Sequence, residues 1–247
     1  MTAGQVLTVH GEADLITGQL RAAGQPERAV SEKAYLQSDL DFFGVGVPAA
    51  RAIVRAWARD HLDLGHDELT ALSSDLWGRP HYECRMAAQM LLIQHPGRLG
   101  PADIPQLEQM LRQARTWALV DGLTCDLMGP LVEQYPELND VLDRWAADPD
   151  FWIRRSALLS LMLPLRRGGG DFDRFARYAD QMLAETEFFI RKAIGWVLRE
   201  TAKKRPELVV AWLEPRITRL SGVTLREAVK PLPEPARAAL LALRPPR

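Results

Sequence analysis

Trp117 and Asp121 stand one helical turn apart in the run Trp117-Ala-Leu-Val-Asp-Gly-Leu, which is otherwise apolar. A carboxylate between Val120 and Leu123 is costly to bury unless it is paired or used. Arg155 and Trp196 fall into phase with it once the chain is set in register on Tyr82, Trp117, Trp152 and Phe189. Counted from these aromatics, Trp117 is at 0, Asp121 at +4, Arg155 at +3 and Trp196 at +7. On a helix those offsets occupy one stripe about 100° wide. An acid, a cation and two indoles are therefore expected to point the same way from three successive rungs. A fixed carboxylate favours positive charge that develops beside it, most strongly where water is excluded. Indole faces add cation–π attraction of about 0.5–2 kcal/mol each. Asp121 could also orient or deprotonate a water, and Arg155 could clamp a phosphate through charge-assisted hydrogen bonds. A tryptophan at helical spacing, taken alone, reads as core packing; the aspartate beside it turns the reading towards a site.

The register also indicates what positions these side chains. The four aromatics are separated by 35, 35 and 37 residues, a period that suits two antiparallel helices with their turns. One such pair cannot bury its apolar face, so neighbours must stack. Apolar residues recur at helical spacing in Ala49 to Trp57, Met86 to Ile93, Leu119 to Val132, Ile153 to Leu163 and Phe189 to Leu198. Pro48, Pro136 and Pro206 stand at the heads of such runs, where the missing N–H costs nothing. No alternating Val/Ile/Thr segment argues for a strand. The expected fold is all-α, a HEAT-like repeat solenoid of roughly a dozen antiparallel helices whose curvature makes the aligned stripe the floor of a concave groove. Gly168-Gly169-Gly170 reads as a loop between repeats, so residues 1–247 are expected to form a single domain.

Composition sets the outer limits. With 247 residues, 47% of them hydrophobic, and a net charge of −1, the chain is globular rather than disordered. No apolar run approaches the roughly 18 residues of a membrane span, and the N-terminus has neither the basic flank nor the apolar stretch of an export signal. A cytoplasmic protein with no membrane partner is expected. Cys84 and Cys125 are too few for a disulfide framework, and five scattered histidines make no zinc pattern. No metal or organic cofactor is expected, and nothing indicates an oligomer, so a monomer is expected. Residues 151–247 hold 19 Lys/Arg against 10 Asp/Glu, a net of +9, leaving −10 for the first 150. A split of that size suggests that one end meets a polyanion.

Three segments together resemble the HEAT-like DNA alkylation repair family, the alkylpurine DNA glycosylases that remove N3- and N7-alkylated purines. They are Tyr35 to Pro48, with Gln37 where the family often has lysine; the Trp117/Asp121 pair followed by Trp152-Ile-Arg-Arg155; and Glu187 to Glu200. The resemblance implies a concave DNA-binding groove and a double-stranded DNA partner containing alkylated purines. It makes Asp121 the catalytic carboxylate, Trp117 and Trp196 the indoles flanking the lesion nucleotide, and Arg155 the arginine holding the backbone. Tyr35 becomes an aromatic near the groove. A frequent family lysine is replaced by Leu163, with Arg166 and Arg167 as substitutes for its charge.

Further phosphate contacts are sought at Arg154, Arg191, Lys192 and Arg199. Arg154 and Arg191, at offset +2, are expected to face a neighbouring helix or solvent, and Lys192 at +3 is better placed. Lys203-Lys204-Arg205 suits either DNA contact or a helix C-terminus. Glu83, Arg85 and Met86 read as structural, and Trp57, Trp77, Trp145 and Trp212 as packing. A purine alkylated at N3 or N7 is cationic and leaves as a neutral base. The enzyme then needs no strong acid; it must stabilise an oxocarbenium-like sugar, and neutral lesions such as uracil should be poor substrates. The alternatives are a non-catalytic HEAT-like DNA-binding module and a protein-binding scaffold.

Overall fold

Segments rich in Ala, Leu, Arg, Glu and Gln alternate with proline and glycine, a composition that favours helices with sharp ends. The computed structural model describes residues 8–244, and within them every regular element is helical apart from one parallel bridge between Asp41 and His81. The all-α expectation holds. None of the described helices is long and apolar enough to cross a membrane.

The chain divides into two compact units, Met1–Leu123 and Thr124–Arg247. The first contains α1 (Val9–Ala22), α2 (Pro26–Leu36), α3 (Val47–Arg59), α4 (His66–Gly78), α5 (Tyr82–Gln94), α6 (Ile104–Gln113) and α7 (Trp117–Leu123). The second contains α8 (Gly129–Gln134), α9 (Asn139–Ala146), α10 (Phe151–Ser160), α11 (Met162–Arg166), α12 (Phe172–Gln181), α13 (Phe188–Ala202), α14 (Pro206–Leu213), α15 (Gly222–Ala228) and α16 (Glu234–Ala242).

These helices are more numerous and shorter than the expected dozen, and prolines account for much of the difference. Helical structure is unbroken from Trp117 to Gln134, but Thr124–Met128 forms a π turn. Pro130 lies just beyond it, in the first turn of α8; it lacks an N–H and its ring crowds the carbonyl four residues earlier, and the widened turn relieves both. Similarly, α10 stops at Ser160, four residues before Pro164 in α11.

The four register aromatics mark corresponding places. Tyr82 and Trp117 are the first residues of α5 and α7, and Trp152 and Phe189 are the second residues of α10 and α13. The cap is repeated too: the Asp150 carboxylate accepts from the Trp152 N–H at 2.8 Å, and Glu187 from the Phe189 N–H at 3.3 Å.

In the first unit α5 is the central element, buried from Tyr82 to Leu92, with α4, α3 and α7 packed on it. In the second unit α10 and α13 take that place, α10 against α9 and α13, and α13 against α15, α11 and α14. Trp57, Trp77, Trp145 and Trp212 are all buried, as packing residues should be. Gly195 permits the close approach of α15 to α13: a Cβ there would lie 2.7 Å from the Glu227 Cβ and 2.8 Å from the Thr224 carbonyl oxygen. Gly168-Gly169-Gly170 is a turn inside the second unit, with Gly168 and Gly170 at positive φ.

The period recurs in the side-chain bonds between elements. Arg155 reaches Phe189, 34 residues on; Thr224 reaches back 33 to Arg191; Arg216 reaches back 36 to Asp180; and His66 meets Asp103, 37 on. Residues one repeat apart are spatial neighbours within each unit.

Candidate functional site

In the first unit the Tyr35–Pro48 segment is held by a buried carboxylate. Glu83, wholly inaccessible near the start of α5, accepts backbone N–H groups from Phe43 (3.0 Å), Gly44 (2.6 Å) and Val45 (3.0 Å). Three amide donors satisfy a charge that could not otherwise be buried cheaply. The bend they enclose needs glycine: Gly44 has φ +81°, and a Cβ there would lie 2.1 Å from the Gln25 carbonyl oxygen. Phe43 stacks on His81 at 4.0 Å and Phe42 on Tyr82 at 5.0 Å between ring centroids. The structural reading of Glu83 thus acquires a specific partner, the Phe43-Gly44-Val45 bend.

That anchorage brings two of the three motif segments together. The Tyr35 ring meets the Trp117 indole edge-on, with centroids 5.9 Å apart and planes at 83°. Nearby, Thr116 Oγ1 donates to the Leu36 carbonyl at 3.4 Å, and Arg115 Nη1 lies 2.7 Å from Asp39 Oδ2. Tyr35 remains 72% exposed, so most of its ring is available to a ligand. Trp117 and Asp121 are half-buried on α7, while Leu119, Val120 and Leu123 between and beside them are buried. The expected amphipathic arrangement is present, with indole and carboxylate one turn apart on the accessible face. Behind Asp121 the next residue is Gly122, where a Cβ would lie 2.7 Å from Gln89 Nε2. Gln89 is buried on α5, and its Oε1 has no hydrogen-bond partner.

The second unit carries Arg155 and Trp196. Trp196 is half-buried on α13 between Gly195 and Val197, both buried. Arg155 departs from the open clamp that its phase suggested. It is only 2% exposed, Nη1 donates to the Phe189 carbonyl at 2.6 Å, and its guanidinium carbon lies 5.8 Å from the Phe189 ring centroid. Helical phase places a residue on a stripe; it does not reveal whether the next rung covers that stripe, and the Trp152–Phe189 ring pair at 4.9 Å belongs to that cover.

The expected phosphate contacts are engaged within the protein. Arg154, at offset +2, forms a fork with the Glu185 carboxylate, 2.8 Å at each arm, and Arg191 Nε donates to the Glu185 carbonyl at 2.7 Å. Both therefore face the neighbouring segment, as their phase implied. Lys192 lies 2.6 Å from Glu227, which also holds Arg199 and, at 2.8 Å, Lys230. Burial alone would raise the Glu227 pKa, but hydrogen bonds from Lys192 and Lys230, with their charges, outweigh it and hold it at about 2. Three cations around one carboxylate leave the cluster net positive. Glu200, also buried, gathers Lys203, Arg199 and Arg166; burial opposes its ionisation, yet the Lys203 hydrogen bond and these charges lower its pKa. Arg167 pairs with Glu133.

Glu227 was not among the expected functional residues, although Lys192 lies 35 residues before it, one period away. The unit boundaries also revise the charge split. Residues 124–150 are acidic, so the second unit holds 20 Lys/Arg against 17 Asp/Glu, a net of +3 rather than the +9 of its basic stretch. Among the described residues no His, Cys, Asp and Glu group is arranged to hold a metal ion.

Solved structures share this fold. A predicted DNA alkylation repair enzyme from Enterococcus faecalis matches at TM-score 0.78 and 23% identity, over 85% of this chain and 97% of that one. AlkD2 from Streptococcus mutans matches at 0.63 and 14%, over 90% and 98%. The smu.31 protein of Streptococcus mutans UA159 matches at 0.54 and 16%, over 73% and 98%. Among curated proteins nothing matches. Those identities speak to the fold; family membership rests on the sequence, where the model of the DNA alkylation repair enzyme family matches residues 16–232. This chain belongs to that family.

Proposed function

We propose that the chain is a DNA glycosylase that hydrolyses the N-glycosidic bond of cationic N3- and N7-alkylated purines in duplex DNA, its two units working as one HEAT-like domain. The observation that carries this reading is the pair on α7: a half-buried carboxylate one turn from a half-buried indole, on a helix whose Leu119, Val120 and Leu123 are buried, with the exposed Tyr35 ring against that indole. A carboxylate held beside an indole favours positive charge that develops next to it.

In the proposed reaction the C1′–N bond breaks and its electron pair goes to the purine, neutralising the alkylated ring. Asp121 stabilises the positive charge left on the sugar. A water oxygen then bonds C1′, and its proton passes to Asp121 or to solvent. Trp117 and Trp196 flank the lesion nucleotide and add attraction for the sugar cation through their faces. Arg155, being buried, acts on the adjacent phosphate from beneath the surface, while Lys192, Arg199 and Arg154 supply positive potential around it. No group in this set is required to protonate the leaving base, so neutral lesions should be released poorly.

The test is chromatography of bases freed from methylated duplex DNA. Asp121→Asn should lower 7-methylguanine release by about 10²–10³-fold while duplex affinity stays within about twofold of wild type. Undiminished release would remove Asp121 from the mechanism. Absence of release from the wild type would leave the non-catalytic DNA-binding module as the better reading.

A further inference from the structure

Within the second unit, five ion pairs join residues 31 to 36 positions apart: Lys192 to Glu227, Arg154 to Glu185, Arg167 to Glu133, Arg174 to Asp143, Arg216 to Asp180. Among the described residues Arg191 has no such carboxylate. The residue 35 positions after Arg191 is Arg226, so cation is set against cation. Both line a cleft of about 440 Å³, with Arg219 and Arg244 on its walls and no Asp or Glu among its lining residues. Arg219 and Arg226 are exposed, Arg191 and Arg244 half-exposed, and among the described residues none of the four is in an ion pair. The floor is fixed: the Thr224 hydroxyl donates to the Arg191 carbonyl at 3.0 Å, and the Ser221 hydroxyl accepts the Thr224 N–H at 3.0 Å.

Four like charges around one concavity repel each other and raise the local potential for an anion, and a fixed floor reduces what ordering them costs on binding. Guanidinium forks match phosphate oxygens in planar, bidentate fashion. The cleft is large enough for more than a single small anion. We infer that the cleft of Arg191, Arg219, Arg226 and Arg244 is a binding site for phosphate groups, occupied by the backbone of a DNA strand away from the damaged nucleotide. Its choice of occupant rests on the DNA reading above; its phosphate chemistry does not.

The experiment compares wild type with the triple variants Arg219→Gln/Arg226→Gln/Arg244→Gln and Arg219→Lys/Arg226→Lys/Arg244→Lys, after circular dichroism and thermal unfolding have verified the fold. Affinity for an undamaged duplex is read by fluorescence anisotropy between about 50 and 200 mM salt. The glutamine variant should lose about 2–3 from the slope of log K against log salt, and the lysine variant should keep most of it. Should the triple glutamine variant fail to fold, Arg226→Gln alone should lose about 0.9. A parallel titration with inorganic pyrophosphate separates the sources. Weakened pyrophosphate binding with an unchanged DNA slope overturns the DNA occupant and leaves a site for a free phosphate ligand. Wild-type behaviour of the glutamine variant in both arms overturns the site. A wild type that binds pyrophosphate through these arginines but no duplex at any salt refutes the DNA reading alone.

Discussion

Replacing Glu227 by glutamine keeps its shape and removes its charge, which three cations share. Glu227 is 6% exposed and titrates at about 2, against an ordinary glutamate value of 4.5. At about 1.4 kcal/mol per pKa unit, and discounting for the exposed lysine partners, the ionised form adds about 2–3 kcal/mol to folding at neutral pH. Because the folded pKa lies below the unfolded one, that contribution is complete above about pH 4.5 and disappears as pH falls through about 2. Glu227→Gln should therefore unfold in urea with about 2–3 kcal/mol less stability than wild type at pH 7 and pH 5. The gap should narrow between pH 4.5 and the acid limit at which the fold itself survives. A variant within about 0.5 kcal/mol of wild type at pH 7, or a gap that is flat in acid, would show that solvent rather than Glu227 balances Lys192, Arg199 and Lys230.

Three further outcomes are expected. Gly44→Ala combines a positive φ with a Cβ 2.1 Å from a carbonyl oxygen, and should cost at least about 2 kcal/mol in thermal unfolding. Gly122→Ala pushes on the buried Gln89 amide and should destabilise by about 1–3 kcal/mol, with recovery when Gln89→Ala is added; no recovery in the double variant would place the strain elsewhere. Tyr35→Ala and Trp117→Ala should show a coupling of about 0.5–1.5 kcal/mol in a double-mutant cycle on unfolding, and additive effects would mean that the edge-on ring contact contributes nothing.

What could be read in the sequence follows from what repeats in it. Tyr82, Trp117, Trp152 and Phe189 each lie at a helix start, the last two behind a capping carboxylate, so their spacing carries structural information. Asp121 was visible as a polar residue in an apolar run, and its half-exposed position beside Trp117 agrees with that reading. Burial imposed by the next rung was not visible: Arg155 has a groove-facing phase and yet lies beneath the Phe189 turn. Nor was the Tyr35–Trp117 contact, because it depends on Glu83 gathering the N–H groups of a bend 38 to 40 residues away, with no pattern of its own in the chain.

The charges show the same limit and a way past it. Counting signs along the chain made residues 151–247 look like a polyanion-binding half, but Glu133 and Asp143 from the preceding acidic stretch, and Glu185, Glu200 and Glu227 within it, absorb many of those cations. A sum over sequence cannot tell a cation that faces a carboxylate from one that faces another cation. Comparison across one repeat can, because the residue about 35 positions away is the one across the interface. On that test Lys192 has an internal partner in Glu227, whereas Arg191 and Arg226 line one cleft that has no Asp or Glu in its lining. The two neighbours on α13 therefore carry different expectations: a DNA phosphate must compete with Glu227 for Lys192, while at Arg191 it would relieve a repulsion. Salt-dependent binding should accordingly lose more of its slope on Arg226→Gln than on Lys192→Gln, and the reverse order would mean that internal pairing does not govern which cations meet the phosphates.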